Sequence, residues 1–212
     1  MTLLDQLRTY APSDEAEAAH RRRMVALLAA APDPFSRAHF APGHFTASCY
    51  IVDPGARLLL HHHRRLNRWL QMGGHVEPGE TTALAALREG AEESGLGDLE
   101  LLSVMLSRGD GEASQDATAS HFEILRFAQD DGAIFDLDIH GIPAAKGEPD
   151  HDHFDVRYLA RTASPDAITI DRAESNELAW VTLGEAAELM PGPESHRVLR
   201  KIERLFRERS VH

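Results

Sequence analysis

Apolar positions along the chain fall into a mixed helical and extended pattern. Residues 2–10, with Leu3, Leu4 and Leu7, predict a short helix, and Asp14 through Ala30 a longer one whose apolar side carries Met24, Leu27 and Leu28 before Pro32 and Pro34 stop it. Phe35–Gly43 reads as a loop. A strand follows from His44 to Val52, then a turn at Asp53-Pro54-Gly55, and a continuously apolar stretch, Leu58–His61, that suits a central strand. Arg64–Arg68 reads as a turn before a short strand around Trp69, which leads into Gly73-Gly74. Beyond a helical segment in the 80s and 90s, strands are expected at Leu99–Ser107, His121–Phe127, Ile134–His140, Phe154–Ala160 and Ala167–Ile170, with a further segment at Asn176–Trp180. Polar loops separate them at Arg108–Thr118, Asp130–Gly132, 144–150 and Arg161–Asp166. Thr182 with Glu185 is a capping-box pair for a helix through Met190, and Val198, Leu199, Ile202, Leu205 and Phe206 stripe a last helix entered after Pro193. Strands mixed with helices predict a layered α/β domain.

The stretch Gly74–Leu96, which should be helical in its later part, carries the chemistry. Pro78-Gly79 marks a turn, Thr81 or Thr82 can cap the first exposed amides, and Gly95 occupies the position where a helix ends. Leu84, Leu87 and Ala91 are expected to form the buried stripe, with Glu89, Glu92 and Glu93 mostly outside it. Residues three and four apart share a helix face, so Glu89 lies beside both Glu92 and Glu93. Three carboxylates held that close repel one another unless a cation sits among them, and hard oxygen donors suit Mg²⁺ or Mn²⁺. Arg88 reaches Glu92 at four-residue spacing and can turn back toward Glu80. Taken alone, Glu92-Glu93 is an ordinary solvated acidic pair.

The whole stretch is far less common than the pair. Gly74, Glu80, Arg88, Glu89, Glu92, Glu93, Gly95 and Leu96 fall on G-x5-E-x7-R-E-U-x-E-E-x-G-U, with U aliphatic, and the chain therefore resembles the Nudix hydrolase family. Seven fixed identities at ordinary residue frequencies arise by chance in a chain this long on the order of once in a million. Gly90 departs from the pattern, standing where an aliphatic side chain is usual; a close backbone approach by a neighbouring element is the simplest reason. Met72 stands where proline is common.

The resemblance implies an α/β/α sandwich around a mixed sheet, with residues 1–34 as a helical extension and 35–212 as the Nudix domain. It implies a metal-dependent hydrolase that cleaves a diphosphate in a nucleoside diphosphate linked to another moiety. Gly74 through its carbonyl, Glu89, Glu92 and Glu93 become metal ligands, and Glu89 also takes the proton of the attacking water. Arg88 organises the site with Glu80 as its structural partner. A further carboxylate from outside the motif is common in the family; Glu177 is the favoured candidate, before Glu123 and Asp155. The alternative is a Nudix-like module that binds a nucleotide or regulates without catalysis. Isoprenoid diphosphate isomerisation ranks low because Cys49 lies only in the first strand.

Substrate contacts are expected from Arg64, Arg65 and Arg68, near the glutamate helix, and from His151, His153 and Asp155, which alternate onto one face of a strand. The second group, with His140 opposite, has three readings: a metal site, a contact to substrate phosphate or base, or structural hydrogen bonding. The Asp-rich stretch from Asp136 to Asp155 is expected to draw the histidine pKa values upward and so to disfavour a structural Zn²⁺.

The charge balance, 22 Lys and Arg against 34 Asp and Glu for a net −12, argues against a polymeric nucleic acid or acidic membrane as partner. One cysteine leaves no disulfide frame, and neither a signal peptide nor a membrane-length apolar run is present, so a cytoplasmic protein is expected. The apolar side chains of the first two helices must be buried, either as a cover on the same domain or between two copies in a homodimer.

Overall fold

A computed structural model describes residues 1–102, 132–145 and 147–209. The strand expected at His121–Phe127, the loop Arg108–Thr118, Glu123 and the end of the strand begun at Leu99 lie outside the described residues, as does most of the Asp130–Gly132 turn.

One sheet takes up all eight described strands: β1 (Gly43–Val52), β2 (Leu58–His63), β3 (Arg68–Leu70), β4 (Met72–His75), β5 (Glu100–Leu101), β6 (Asp136–Ile142), β7 (His151–Arg161) and β8 (Ser175–Val181). β1 and β7 run parallel through its centre, in register from Gly43↔Asp152 to Val52↔Arg161. Two strands share the other edge of β1. β2 pairs antiparallel only at Ile51 and Val52, whereas β4 pairs at Thr46 through Cys49. β2 then continues past β1 between β3 and β8. β6 pairs with β7 over 136–142. The strand expected at Ala167–Ile170 does not form: a single 3₁₀ turn, Pro165–Ala167, stands there, and the Trp180 indole N–H donates to the Pro165 carbonyl at 2.9 Å.

Strand alternation assigns the two faces. Phe45, Ala47, Cys49 and Ile51 of β1, with Phe154, Val156 and Tyr158 of β7, are buried under α1 (Leu3–Thr9), α2 (Glu15–Ala30) and α3 (Thr82–Ser94). Tyr50, Val52, Leu58, Leu60 and Leu159 face the other way, under α4 (Leu183–Leu189) and α5 (Pro193–Arg209). The result is the expected α/β/α sandwich. Leu7, Met24 and Leu27 of the first two helices sit in the same core as β1, so these side chains need no second copy to bury them.

The buried side of α3 differs from expectation. Leu84, Leu87 and Ala91 are only partly buried, while Ala83, Ala85, Ala86, Gly90 and also Glu93 form the covered face. Small residues let the helix backbone come close to the sheet. A Cβ on Gly90 would lie 3.3 Å from the Cys49 Cβ and 3.1 Å from a Leu99 methyl, which is the close approach anticipated for this glycine.

Candidate active site

α3 begins where the Thr81 hydroxyl accepts from the Leu84 amide at 3.2 Å and ends at Gly95, in a left-handed conformation. Between these caps, Arg88 ties the acids to the sheet. Its Nε donates to Glu80 Oε1 at 2.9 Å, one Nη to Glu89 at 2.9 Å and Glu92 at 3.2 Å, and the other to the His75 carbonyl at 2.9 Å. Charge-assisted bonds of this kind are short and directional, so a guanidinium with three carboxylates and a strand carbonyl fixes the helix against β4. Gly74 is the floor under Glu89: a Cβ there would lie 2.4 Å from the Glu89 carboxylate oxygen.

Glu93 is 4% exposed and accepts from the Gly73 amide at 2.8 Å, with His61 Nδ1 at 3.9 Å. Burial pushes its pKa up to about 9; the Gly73 amide works against this, and hydrogen bonding to Glu174 and the charges of Glu89 and Glu174 add to it. Glu89 is likewise raised, first by burial and then by Glu92 and Glu174 against the pull of Arg88. Glu174 stands in the turn before β8, and its carbonyl accepts from the Arg64 amide at 2.8 Å. The Arg64 side chain bonds the Arg172 carbonyl in the same turn. Glu89 and Glu93 therefore flank the Gly73-Gly74 backbone, with Glu92 and Glu174 beside them, and the two inner carboxylates are unfavourable as bare anions. An all-oxygen donor set that lowers its energy by neutralisation fits Mg²⁺ or Mn²⁺.

The model of the NUDIX domain matches residues 42–202. The chain belongs to the Nudix family. Among solved structures, an Ap4A hydrolase from C. elegans, in a binary complex, superposes with a TM-score of 0.52 at 20% identity, covering 77% of this chain and 98% of that one. A protein from Listeria monocytogenes described as a NUDIX hydrolase gives 0.50 at 17%, covering 77% and 95%. At these identities the likeness is one of fold. A comparison with curated proteins finds no match. As a family member the chain is a Nudix-type pyrophosphohydrolase.

Two expected residues of this Nudix site lie elsewhere. Glu177 pairs with His62 across β2 and β8, while His61, one residue earlier, faces Glu93. Alternation therefore turns Glu177 to the opposite face, and Glu174 is the outside carboxylate that meets the helix. Asp155 is 1% exposed and accepts from the Thr46 and Ser48 hydroxyls and from Arg157 Nε at 3.0 Å. With every lone pair directed at a buried partner, it is a structural group and not a substrate contact. Arg64, Arg65 and Arg68 are exposed on the turn and strand that adjoin Glu174.

His151 and His153 share their sheet face with His44 of β1, and His75 stacks on His44 with ring centroids 5.1 Å apart. The upward pKa shift expected for this cluster is overturned at His153. Burial, reinforced by the neighbouring imidazoles, pushes His153 down to about 2 and His75 to about 4, and His44 is lowered too. Arg157 takes Asp136, Asp138 and Asp155, and Arg197 and Lys201 take Asp136, while His140 Nδ1 lies 3.1 Å from Asp138. Glu174, His44 and His61 were not legible as members of these sites. A polar turn just before a strand end was the available signal for Glu174.

Proposed function

We propose that the chain hydrolyses the diphosphate of a nucleoside diphosphate linked to another moiety, with Mg²⁺ or Mn²⁺ as its cofactor. The observation that carries this reading is the grouping of Glu92 and Glu174 around Glu89 and Glu93, which flank the Gly73-Gly74 backbone, with Glu93 displaced to about 9 when no cation balances it. Glu89, Glu92, Glu93, Glu174 and the Gly74 carbonyl would hold the ion. When bound, such an ion neutralises nonbridging phosphate oxygens and lowers the pKa of a water ligand. The chain's own groups do the rest. Arg88, fixed by Glu80, keeps Glu89 and Glu92 in place. Glu89 takes a proton from water as its oxygen attacks phosphorus and the bridging P–O bond breaks, the electron pair leaving with the departing phosphate. Arg64, Arg65 and Arg68 supply positive charge toward the remaining phosphate or the attached moiety. A setting in the cytoplasm accords with the lone, buried Cys49 and with the absence, among the described residues, of any helix long and apolar enough to cross a membrane.

The test is incubation with nucleoside triphosphates, nucleotide sugars, dinucleoside polyphosphates and ADP-ribose, following phosphate release with and without EDTA. Turnover that requires added Mg²⁺ or Mn²⁺ is expected for at least one class. No turnover of any compound at high enzyme concentration overturns the reading in favour of a module that binds nucleotide without cleaving it.

A further inference from the structure

Across the sheet from α3, the ring nitrogens of His44, His151 and His153 provide three ligand atoms that lie within 4.8 Å of one another. Two of these rings are oriented as metal-bound imidazoles are. His44 Nδ1 donates to the His39 carbonyl at 3.3 Å and His151 Nδ1 to the Pro149 carbonyl at 2.9 Å. A carbonyl only accepts, so each Nδ1 carries the proton, which in the neutral ring leaves the lone pair on Nε2; a backbone oxygen fixing the tautomer in this way is the usual partner of a histidine ligand. His44 is 1% exposed, and its Nε2 is buried with no hydrogen-bond partner. A buried nitrogen left unsatisfied is destabilising, so its retention calls for an occupant.

Burial, with the neighbouring imidazoles, lowers the pKa of His153 and His44, which favours the neutral form that ligation needs. A phosphate would instead want protonated rings. The neighbouring cleft of about 550 Å³ argues the same way: it is lined by Phe40, Ile142 and His151, with Asp150 and Asp152 and no lysine or arginine.

We propose that His44, His151 and His153 form a second metal site, distinct from the glutamate site, which takes Zn²⁺ or a similar borderline divalent ion with its fourth position left to water or a ligand entering from the cleft. Three imidazoles are the donor set that separates Zn²⁺ from the oxygen-loving Mg²⁺. Nitrogens on a tetrahedral Zn²⁺ at about 2.0–2.1 Å lie roughly 3.4 Å apart, so the side chains close by on the order of 1 Å on binding. His75 packs on His44 and follows Gly74 directly, so the ion would brace the stretch of β4 that presents the Gly74 carbonyl.

Full-length protein purified without added metal is analysed for zinc, then titrated with Zn²⁺ alone and with Zn²⁺ in excess Mg²⁺. About one Zn²⁺ per chain is expected, undisturbed by Mg²⁺, with a rise in melting temperature on binding. Affinity should fall by at least about 100-fold in His151→Ala and in His153→Gln. It should be unchanged in Glu92→Gln. His44→Ala removes a buried ring and can disturb folding, so the two β7 variants, checked by circular dichroism, carry the test. Absence of Zn²⁺ binding to the wild type, or binding that survives both histidine changes and disappears in Glu92→Gln, overturns the proposal. So does inorganic phosphate binding that depends on His151 and His153 while zinc does not bind.

Discussion

Single side chains decide the chemistry of the glutamate site. Glu89, Glu93 and Glu174 are close enough to perturb one another, whereas Glu177 on the far face is not. Glu89→Gln is expected to lower kcat by about 10²- to 10⁴-fold, the range for loss of a general base, with part of the metal affinity retained. Glu93→Gln should lose metal affinity and rate together, and Glu174→Gln should follow the same pattern to a smaller degree. Glu177→Gln should stay near wild type. Mn²⁺ titrations run beside steady-state assays separate these outcomes; wild-type rates in Glu89→Gln, or a large loss in Glu177→Gln with Glu174→Gln unaffected, would contradict the assignment. Arg65→Ala is expected to change kcat/KM between substrates more than it changes Mn²⁺ binding, because the shared diphosphate is handled elsewhere and selectivity needs contacts to the attached group.

At the scale of elements, α3 works because it lies so close to β1. A helical glycine costs about 1 kcal/mol relative to alanine, so Gly90→Ala would stabilise an isolated helix. Here the added methyl meets the Cys49 Cβ at 3.3 Å, on a strand locked between β4 and β7, and overpacking costs about 1–3 kcal/mol. Gly90→Ala should therefore lose on the order of 1 kcal/mol in denaturant unfolding, and Gly90→Leu, which restores the family's aliphatic residue, should lose more. A stabilised alanine variant would mean that β1 and α3 can separate at little cost. The small-residue face also explains why helical periodicity misassigned the stripe: Leu84 and Leu87 carry more hydrophobicity than the alanines, yet only short side chains fit the gap.

For the molecule as a whole, a buried ionic network joins the two ends of the chain. Lys201 of α5 donates to Glu17 of α2 at 2.5 Å and to Asp136 of β6 at 2.7 Å; Tyr10 also bonds Glu17, and Arg197 and Arg157 complete the surroundings of Asp136. Removing one member of such a group leaves an uncompensated buried charge, which costs about 3–5 kcal/mol. Lys201→Ala should lose that much in equilibrium unfolding. Burial alone would raise Asp138, but the charge of Arg157 and the hydrogen bond from His140 win, and its pKa is lowered from 3.8. Asp136 is lowered likewise. A depressed carboxylate contributes stability that is present above its unfolded pKa and lost as pH falls through the folded one, so unfolding free energy should decline as pH drops below about 4. Asp138→Asn should flatten that decline. A chain starting at Phe35 would expose the partners of Leu7, Met24, Leu27 and Glu17, and should melt well below the full chain. Light scattering on the full chain tests the dimer separately.

The sequence alone was enough for the family motif, the helix from Thr82 to Ser94 with its caps, the main strands and the α/β/α class. The α/β/α arrangement came through the family resemblance; the others rest on local rules: residue spacing along one helix, capping chemistry, and apolar alternation within a strand. Even the close approach at Gly90 could be inferred, since a glycine in a helix that lacks a turn to make needs a packing reason. What tertiary structure decided was everything that depends on which strand lies beside which. The parallel pairing of β1 with β7 brings His44 beside His151 and His153, although more than 100 residues separate them. The turn before β8 carries Glu174 to Glu93, while its neighbour Glu177 faces away because side chains alternate along a strand. Arg157 and Lys201 take up much of the aspartate charge, and burial among other imidazoles lowers the pKa of His44 and His153. Burial and cross-strand register control the charge state of these groups, and neither quantity exists until the chain has folded.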